Sequence, residues 1–478
     1  MSNPSGDANK KNEYCKTACT LLAVLLTIMA CIMPMDNLSL WNGEQPGHRN
    51  QYELMAEAIL DGRLDIDYGE DTLANLENPY NPQERDDAGV WYPWDHAYYN
   101  GHYYMYFGIV PVFLVFLPYR VLTGQALTTF RGTQIFVVFI IIGIFVLFDL
   151  LRKRFFKNMS YMAYIGLSVA VSVMSVWYSS AEPALYCTAI TAAIALQVWS
   201  LYFFIRAVWY EKNENKQIAY AAVGALLGAL VFGCRPPIAL ANIIVLPMLY
   251  VFIKQRKLTI ALLGKLALAA LPYVFVGVGL MAYNYVRFDN PFEFGQAYQL
   301  TVADQSQYGF AIHSSDIIRI FNGVMESFFQ YKKVNEAFPF LETGGMLFNY
   351  PLLLLSLGAI RSSSISFAKK DRLIPLVFGI FAVVLIITAV DVLWTPYLLE
   401  RYHMDTYFLM GILCFMGVGL WYSTITREKT KRIFCLIVVG LSIISVVSSF
   451  LYYVDTVCVY YPEKAQEIGN ALFFRSIM

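Results

Sequence analysis

Charge is scarce in this sequence. Of its 478 residues only 15% are Asp, Glu, Lys or Arg, against about 25% in an average soluble protein. So little charge cannot cover several water-soluble domains, which argues against a soluble enzyme, a secreted scaffold or a free nucleic-acid-binding protein. Cysteine spacing of the metal or disulfide kind is also missing. Seven of the eight cysteines lie in or beside apolar runs, Cys458 falls in a tail, and no C-x-x-C occurs, so neither a disulfide framework nor a zinc ribbon is signalled. The N-terminus is basic at Lys10, Lys11 and Lys16 and apolar from Leu21 to Met35, yet no A-x-A-like cleavage site follows. It reads as an uncleaved first span. Internal repeats and low-complexity stretches are absent, and the 35 basic residues cancel the 35 acidic ones.

What is abundant is apolar sequence, at 58% of residues and a mean hydropathy of +0.49. A membrane-crossing helix needs roughly 20 mostly apolar residues. Runs of that kind fall near 18–35, 132–151, 159–178, 183–207, 218–234, 236–253, 259–282, 346–361, 373–393, 405–424 and 433–453. The expectation is an all-α polytopic membrane protein with about eleven transmembrane helices. Basic breaks at 152–157, 212–216, 254–257, 369–372 and 427–432 follow every second run. Short Lys/Arg-rich loops stay cytoplasmic, so the alternation places the N-terminus inside and the C-terminal tail outside.

The expected organisation is then a cytoplasmic segment 1–17, a first span 18–35 and a large outer loop 36–131. Transmembrane helices two to seven follow over 132–282, a second outer segment over 283–345, helices eight to eleven over 346–453 and an outer tail over 454–478. The first loop carries fourteen acidic and five basic residues. Within it, 50–60 places Tyr52, Ala56 and Ile59–Leu60 on one helical face, with Gly62 as a stop. Residues 79–101 are turn-rich. Residues 102–124 are apolar but broken by Pro111, Pro118 and Arg120. Were they to span, Arg152–Lys157 would lie outside. They are expected as a helix in the outer interface, anchored by Tyr103, Tyr104, Tyr106 and Phe107.

This order of elements resembles the GT-C-type glycosyltransferases, the class of protein O-mannosyltransferases and of the bacterial transferases that modify lipid A. The local signals are QYELMAEAILDGRLDID, WDHAYYNGHYYMYFGIVPVFLVFLP, GCRPP at 233–237, YNYVRFDNPFEFGQAYQL at 283–300 and ERYHMD at 400–405. One departure stands out: where relatives often carry an acidic pair ahead of the loop helix, this chain has His48 and Arg49. The resemblance implies transfer of a sugar from a polyprenyl-phosphate donor to a glycan, lipid or protein acceptor at the outer face of the cell membrane, with inversion. Such chemistry needs a carboxylate to take the acceptor's proton and cations to hold the leaving lipid phosphate.

Asp95, set between aromatics in Trp94-Asp95-His96, is the first candidate base, and Asp36, directly after the first span, the second. Candidate substrate-binding residues are Arg401 with Tyr402, Arg235, Arg287 and His96. A charge deep in a membrane costs roughly 2.5–3.5 kcal/mol on insertion scales, so Arg235 inside GCRPP calls for a reason. Asp65 and Asp67 form a D-x-D that could hold a divalent cation, and His96 with His102 and Asp95 fits no strong zinc spacing. No cofactor is certain, and a divalent metal is left open. A transporter or lipid flippase is the first rival and would show midplane charges and paired half-helices. A polysaccharide polymerase or ligase of another membrane fold is the second.

Overall fold

The computed structural model describes residues 4–40, 50–69, 71–106, 108–307, 314–394 and 400–473. His48, Arg49, Phe107 and His313 lie outside the described residues. The chain opens with α1 (Pro4–Leu38), α2 (Gln51–Leu60) and α3 (Pro82–Ala88). A hairpin of β1 (His96–Tyr99) and β2 (His102–Met105) follows, and then a wide π-type turn, Val112–Phe116, that runs into α4 (Leu117–Thr123). The next helices are α5 (Thr129–Phe155), α6 (Tyr161–Met174), α7 (Trp177–Ala181), α8 (Leu185–Ile205), α9 (Glu214–Phe232), α10 (Pro236–Ala239), α11 (Val245–Lys254) and α12 (Ile260–Phe288). The last third holds α13 (Ser314–Phe329), α14 (Met346–Asn349), a 3-10 segment Pro351–Ile360, α15 (Ser362–Lys370), α16 (Ile374–Trp394), α17 (Glu400–Thr424), α18 (Glu428–Tyr460) and α19 (Pro462–Phe473).

The protein is an all-α polytopic membrane protein. Among the described residues nine helices are long and apolar enough to cross a membrane, and the pair Pro351–Ile360 and Ser362–Lys370, bent by 67°, makes a tenth if it counts as one span. The eleven apolar runs of the sequence correspond to these ten and to α6. At 1.5 Å per residue the 14 residues of α6 reach about 21 Å, short of a hydrocarbon core of about 30 Å. Its run is completed by the turn at Ser175–Val176 and by α7.

Polar starts set where the spans begin. Thr128 caps α5 by accepting from the Arg131 N–H, Asn213 caps α9 through Lys216, and Thr259 caps α12 through Leu262; each hydroxyl or amide oxygen satisfies a donor that the first helical turn leaves open. Beyond its polar first turns helix α17 is apolar, and 94% of its apolar stretch is buried, so it is the central helix, packed by α6, α8, α15, α16 and the 3-10 segment. Helices α1 and α12 bury little of theirs and face lipid.

The two ends of the bundle differ. At one, Arg154 pairs with Asp371, Lys265 with Glu214, and Arg256 lies over Phe252; this is where the basic breaks gather. At the other, the Tyr453 hydroxyl donates to Pro34 O, Leu40 N–H to Ala181 O, and Val110 N–H to Gly233 O. The first loop therefore closes over the turns between α7 and α8 and between α9 and α10.

One expectation needs correcting. Residues 102–105 are not the start of an interfacial helix but strand β2, paired antiparallel with β1 in the register His96 with Met105. Asn100 and Gly101 both have positive φ, at 50° and 80°, the conformation a two-residue hairpin turn demands. Tyr103 is buried against Tyr68, Tyr98 and Leu73 rather than anchored in an interface. The stretch from Val112 to Thr123 is a short apolar helix, and its 12 residues reach about 18 Å, short of a hydrocarbon core of about 30 Å.

Candidate active site

Three helix starts at the loop end meet around one tyrosine. The Arg235 and Arg401 guanidinium carbons lie 5.2 and 5.4 Å from the Tyr402 ring centroid. Arg235 is the residue before α10, where Pro236 fits the first helical position because its missing N–H would have no partner there. Arg401 and Tyr402 stand in the first turn of α17. Arg401 also lies over the Tyr186 ring at 4.1 Å, and among the described residues no carboxylate comes within ion-pair distance of it. Tyr186 is aimed there by a sharp turn into α8, in which Leu185 has a φ of 42°, a costly value for a non-glycine residue. Glu182 holds the turn by accepting from the Tyr186 and Tyr178 hydroxyls at 3.0 and 3.2 Å, and the Tyr52 hydroxyl of α2 donates to Leu185 O at 3.0 Å.

Arg235 is 8% exposed. Its Nε donates to both oxygens of Asp405, at 2.8 and 2.7 Å, and Asp405 is fully buried. That pair answers the cost of burying each charge. The pairing leaves Nη2 of Arg235 buried with no partner among the described residues. An unmet guanidinium donor of this kind is expensive in a closed interior and suited to an anion's oxygen.

Asp95 comes to this cluster on the hairpin. It sits in the left-handed region with φ 56°, which Asp tolerates better than most residues. Its N–H donates to Leu300 O at 2.9 Å, and Tyr98 N–H and Leu300 N–H complete a third strand-like rail along β1 with Tyr298 O and His96 O. Gln299 Nε2 donates to Asp95 Oδ1 at 2.8 Å. Asp95 is 6% exposed. Burial pushes its carboxyl above the ordinary value; the charge of Arg401 and hydrogen bonds from Thr301, Gln299 and Trp94 pull it back only in part. Tyr106, just past β2, lies within electrostatic reach of Asp95, Tyr402 and Arg235, and burial first, then Asp95, raises its hydroxyl. The hairpin can approach so closely because Gly108 packs on Gly233, where a Cβ at Gly108 would collide with the Gly233 carbonyl oxygen.

The structure thus brings together Asp95, Arg401, Tyr402 and Arg235. It does not bring Arg287 with them. That guanidinium donates to Met105 O at 3.0 Å and to Asn284 Oδ1 at 2.8 Å, with the Tyr283 ring 3.8 Å away, and its Nε is buried without a partner among the described residues. Asp36, at the end of α1, pairs with Arg131 at 2.7 Å and accepts from Gln134 at 2.9 Å, on a 40% exposed side chain. His96 is fully buried. Its Nδ1 faces Trp94 O at 3.0 Å and its Nε2 the Tyr68 hydroxyl at 2.8 Å. A carbonyl only accepts, so Nδ1 carries the proton and Nε2 accepts from Tyr68; the ring fixes the hairpin. Asp65 faces His102 and Arg63, whereas Asp67 accepts from Gly69 N–H. Among the described residues no three His, Cys, Asp or Glu side chains are grouped to hold a metal ion.

Reading the sequence passed over Asp405 and Tyr186. Asp405 closes the quoted ERYHMD, and an acid at the start of an apolar run implies a buried cation, which the arginine of GCRPP supplies. For Tyr186 the sequence carries no comparable sign.

No protein-family model matches the sequence, and a search of curated proteins finds no relative. Comparison with solved structures does find likenesses. ArnT from Cupriavidus metallidurans, solved free and bound to undecaprenyl phosphate, is similar over 92% of this chain and 76% of its own, at 12% identity and a TM-score of 0.48. The archaeal oligosaccharyltransferase AglB from Archaeoglobus fulgidus, solved with an inhibitory peptide and a dolichol-phosphate, is similar over 93% of this chain and 56% of its own, at 14% identity and a TM-score of 0.49. The likeness is one of fold.

Proposed function

We propose that this protein is a membrane glycosyltransferase that moves a sugar from a polyprenyl phosphate to an acceptor hydroxyl at the loop end of the bundle, the outer face. The observation that carries the reading is the Tyr402 cluster. Two guanidinium groups share one ring, one of them with a buried free Nη2, and a buried carboxylate at the start of the hairpin lies within electrostatic reach of Arg401. Arg401 and Arg235 hold the donor phosphate, whose prenyl tail stays in the bilayer. The Asp95 carboxylate takes the proton of the acceptor hydroxyl as its oxygen bonds to the anomeric carbon. The bond from that carbon to the phosphate oxygen breaks, and the electron pair leaves with the polyprenyl phosphate, its charge met by the two arginines. Attack opposite to the leaving group inverts the centre. Asp36, paired with Arg131, and Arg287, which donates to Met105 O and Asn284, serve the fold.

The test is release of polyprenyl phosphate from a polyprenyl-phosphate-linked sugar by the purified protein in lipid nanodiscs. Acceptor-dependent release that falls about 10²–10³-fold in Arg401→Gln is the expected result. Passage of the intact sugar-lipid across the bilayer without cleavage would make the protein a carrier.

A further inference from the structure

At the opposite, basic end lies a cavity of about 500 Å³ between α1, α5, α6 and the end of α8. Its lining is graded. On α5 it runs from Ile142 through Phe145 to Arg152 and Lys153, about 16 Å along the helix, apolar toward the bilayer centre and charged at the rim. Lys16 of α1 and Arg206 beyond α8 also reach the rim, so four cations face two carboxylates, Glu13 and Asp149. The surplus is positive. Next to the cavity, Leu21 and Leu25 of α1 are more than half exposed on a helix that faces lipid.

Cations at a cytoplasmic helix end ordinarily fan into water. Here they are built into a wall. The Arg152 side chain is 14% exposed and lies over the Tyr161 and Tyr164 rings, at 5.6 and 5.2 Å. Its Nη2 reaches Asp149 at 2.7 Å. Arg206 Nη1 donates to the Tyr202 hydroxyl at 2.6 Å, and its guanidinium lies over Tyr220 at 4.7 Å. The Nε atoms of both Arg152 and Arg206 are buried without a partner among the described residues. The Tyr161 hydroxyl fastens α6 to α1 at Lys16 O, which keeps the concave shape closed on the protein side.

We propose that this cavity is a binding site for an anionic glycerophospholipid of the surrounding leaflet. The phosphodiester sits among Arg152, Arg206 and Lys16, and the upper acyl chains lie along Leu21, Val24 and Ile142. The excess of cations selects a headgroup that carries net negative charge, and the graded lining fits a molecule with a charged head and apolar tails. The site is separate from the Tyr402 cluster, at the other end of the bundle, and stands whether or not the transferase reading does.

The experiment uses the full chain in nanodiscs made from an equal mixture of phosphatidylcholine and phosphatidylglycerol. Native mass spectrometry counts the lipids that remain on the protein after transfer to detergent. Preferential retention of phosphatidylglycerol is expected. R152Q/R206Q should reduce it about tenfold or more, as should Val24→Trp, which fills the apolar half and leaves every charge in place. Lys265→Gln, at the same end but outside the cavity, should retain it as the wild type does. Equal retention of the two lipids overturns the proposal, and so does undiminished retention in both cavity variants. Displacement of phosphatidylglycerol by inorganic phosphate would also overturn it, since the site would then read a free anion.

Discussion

Arg235 has two duties in this structure, and substitution can separate them. It neutralises Asp405, and in the proposed mechanism it offers Nη2 to the donor phosphate. Arg235→Gln removes both. Asp405 is fully buried and takes two contacts from a single Nε, at 2.8 and 2.7 Å. Losing one partner of a buried pair costs about 3–5 kcal/mol, because the remaining charge has nowhere to go. Replacing both partners by neutral groups of similar shape is often close to neutral. R235Q/D405N should therefore recover part of the stability that R235Q loses, the buried Asp391 within electrostatic reach of Arg235 keeping the rest. A double-mutant cycle of chemical unfolding in detergent should give a coupling energy of at least about 2 kcal/mol. Binding of polyprenyl phosphate should behave differently. A hydrogen bond to a charged group is worth about 1.5–3 kcal/mol, so affinity should fall about 10- to 150-fold in R235Q and stay low in R235Q/D405N. Fluorescence titration with a labelled polyprenyl phosphate measures it. If the double variant binds like the wild type, Arg235 is only the counterion of Asp405, and its phosphate role is refuted.

Asp95→Asn should lower turnover about 10²–10⁴-fold with donor binding intact, while Asp36→Asn keeps near-normal turnover, because Asp36 belongs to an exposed pair worth about 0–1 kcal/mol. The Asp95 carboxyl must be ionised to accept a proton and titrates above its ordinary value because it is buried. The wild-type rate should thus fall as pH drops through that raised pKa, and a pH–rate profile without that limb in D95N checks the assignment. Gly108→Ala should push the hairpin off the Gly233 turn, cost about 1–3 kcal/mol by overpacking and weaken transfer more than donor binding; a profile that moves binding alone would show that the hairpin does not carry the base.

The spans were legible because the bilayer imposes one long apolar run per crossing, and the basic breaks phased them. The end at which Arg235, Arg401 and Asp95 meet follows from counting those runs. The hairpin was harder. HYYMYF at 102–107 is aromatic enough for an interfacial helix, and that reading ended the turn-rich segment at Gly101 without pairing the residues on either side of Asn100-Gly101, the turn that sets β1 against β2. Burial of the hairpin's tyrosines needs Leu300 and Tyr298 from the far segment, and no local pattern announces that pairing. Arg287 illustrates the converse. It stands in a motif as suggestive as GCRPP, yet it donates to a backbone carbonyl and to Asn284 and packs on the Tyr283 ring, which only the packed structure reveals.

The seat of Asp95 is stitched from partners 204 positions apart, the carboxylate early in the chain and Gln299 late. At a synthesis rate of about 5–20 residues per second the ribosome needs about 10–40 s to supply the second half. Throughout that interval β1 presents an open edge to whatever strand is near, and the carboxylate has neither its rail at Leu300 nor the guanidinium of Arg401. Nascent chains that carry the first loop and several finished spans are therefore chemically silent. On the proposed mechanism competence waits for two late arrivals, the segment after α12 that docks on the waiting strand and then α17, which carries Arg401.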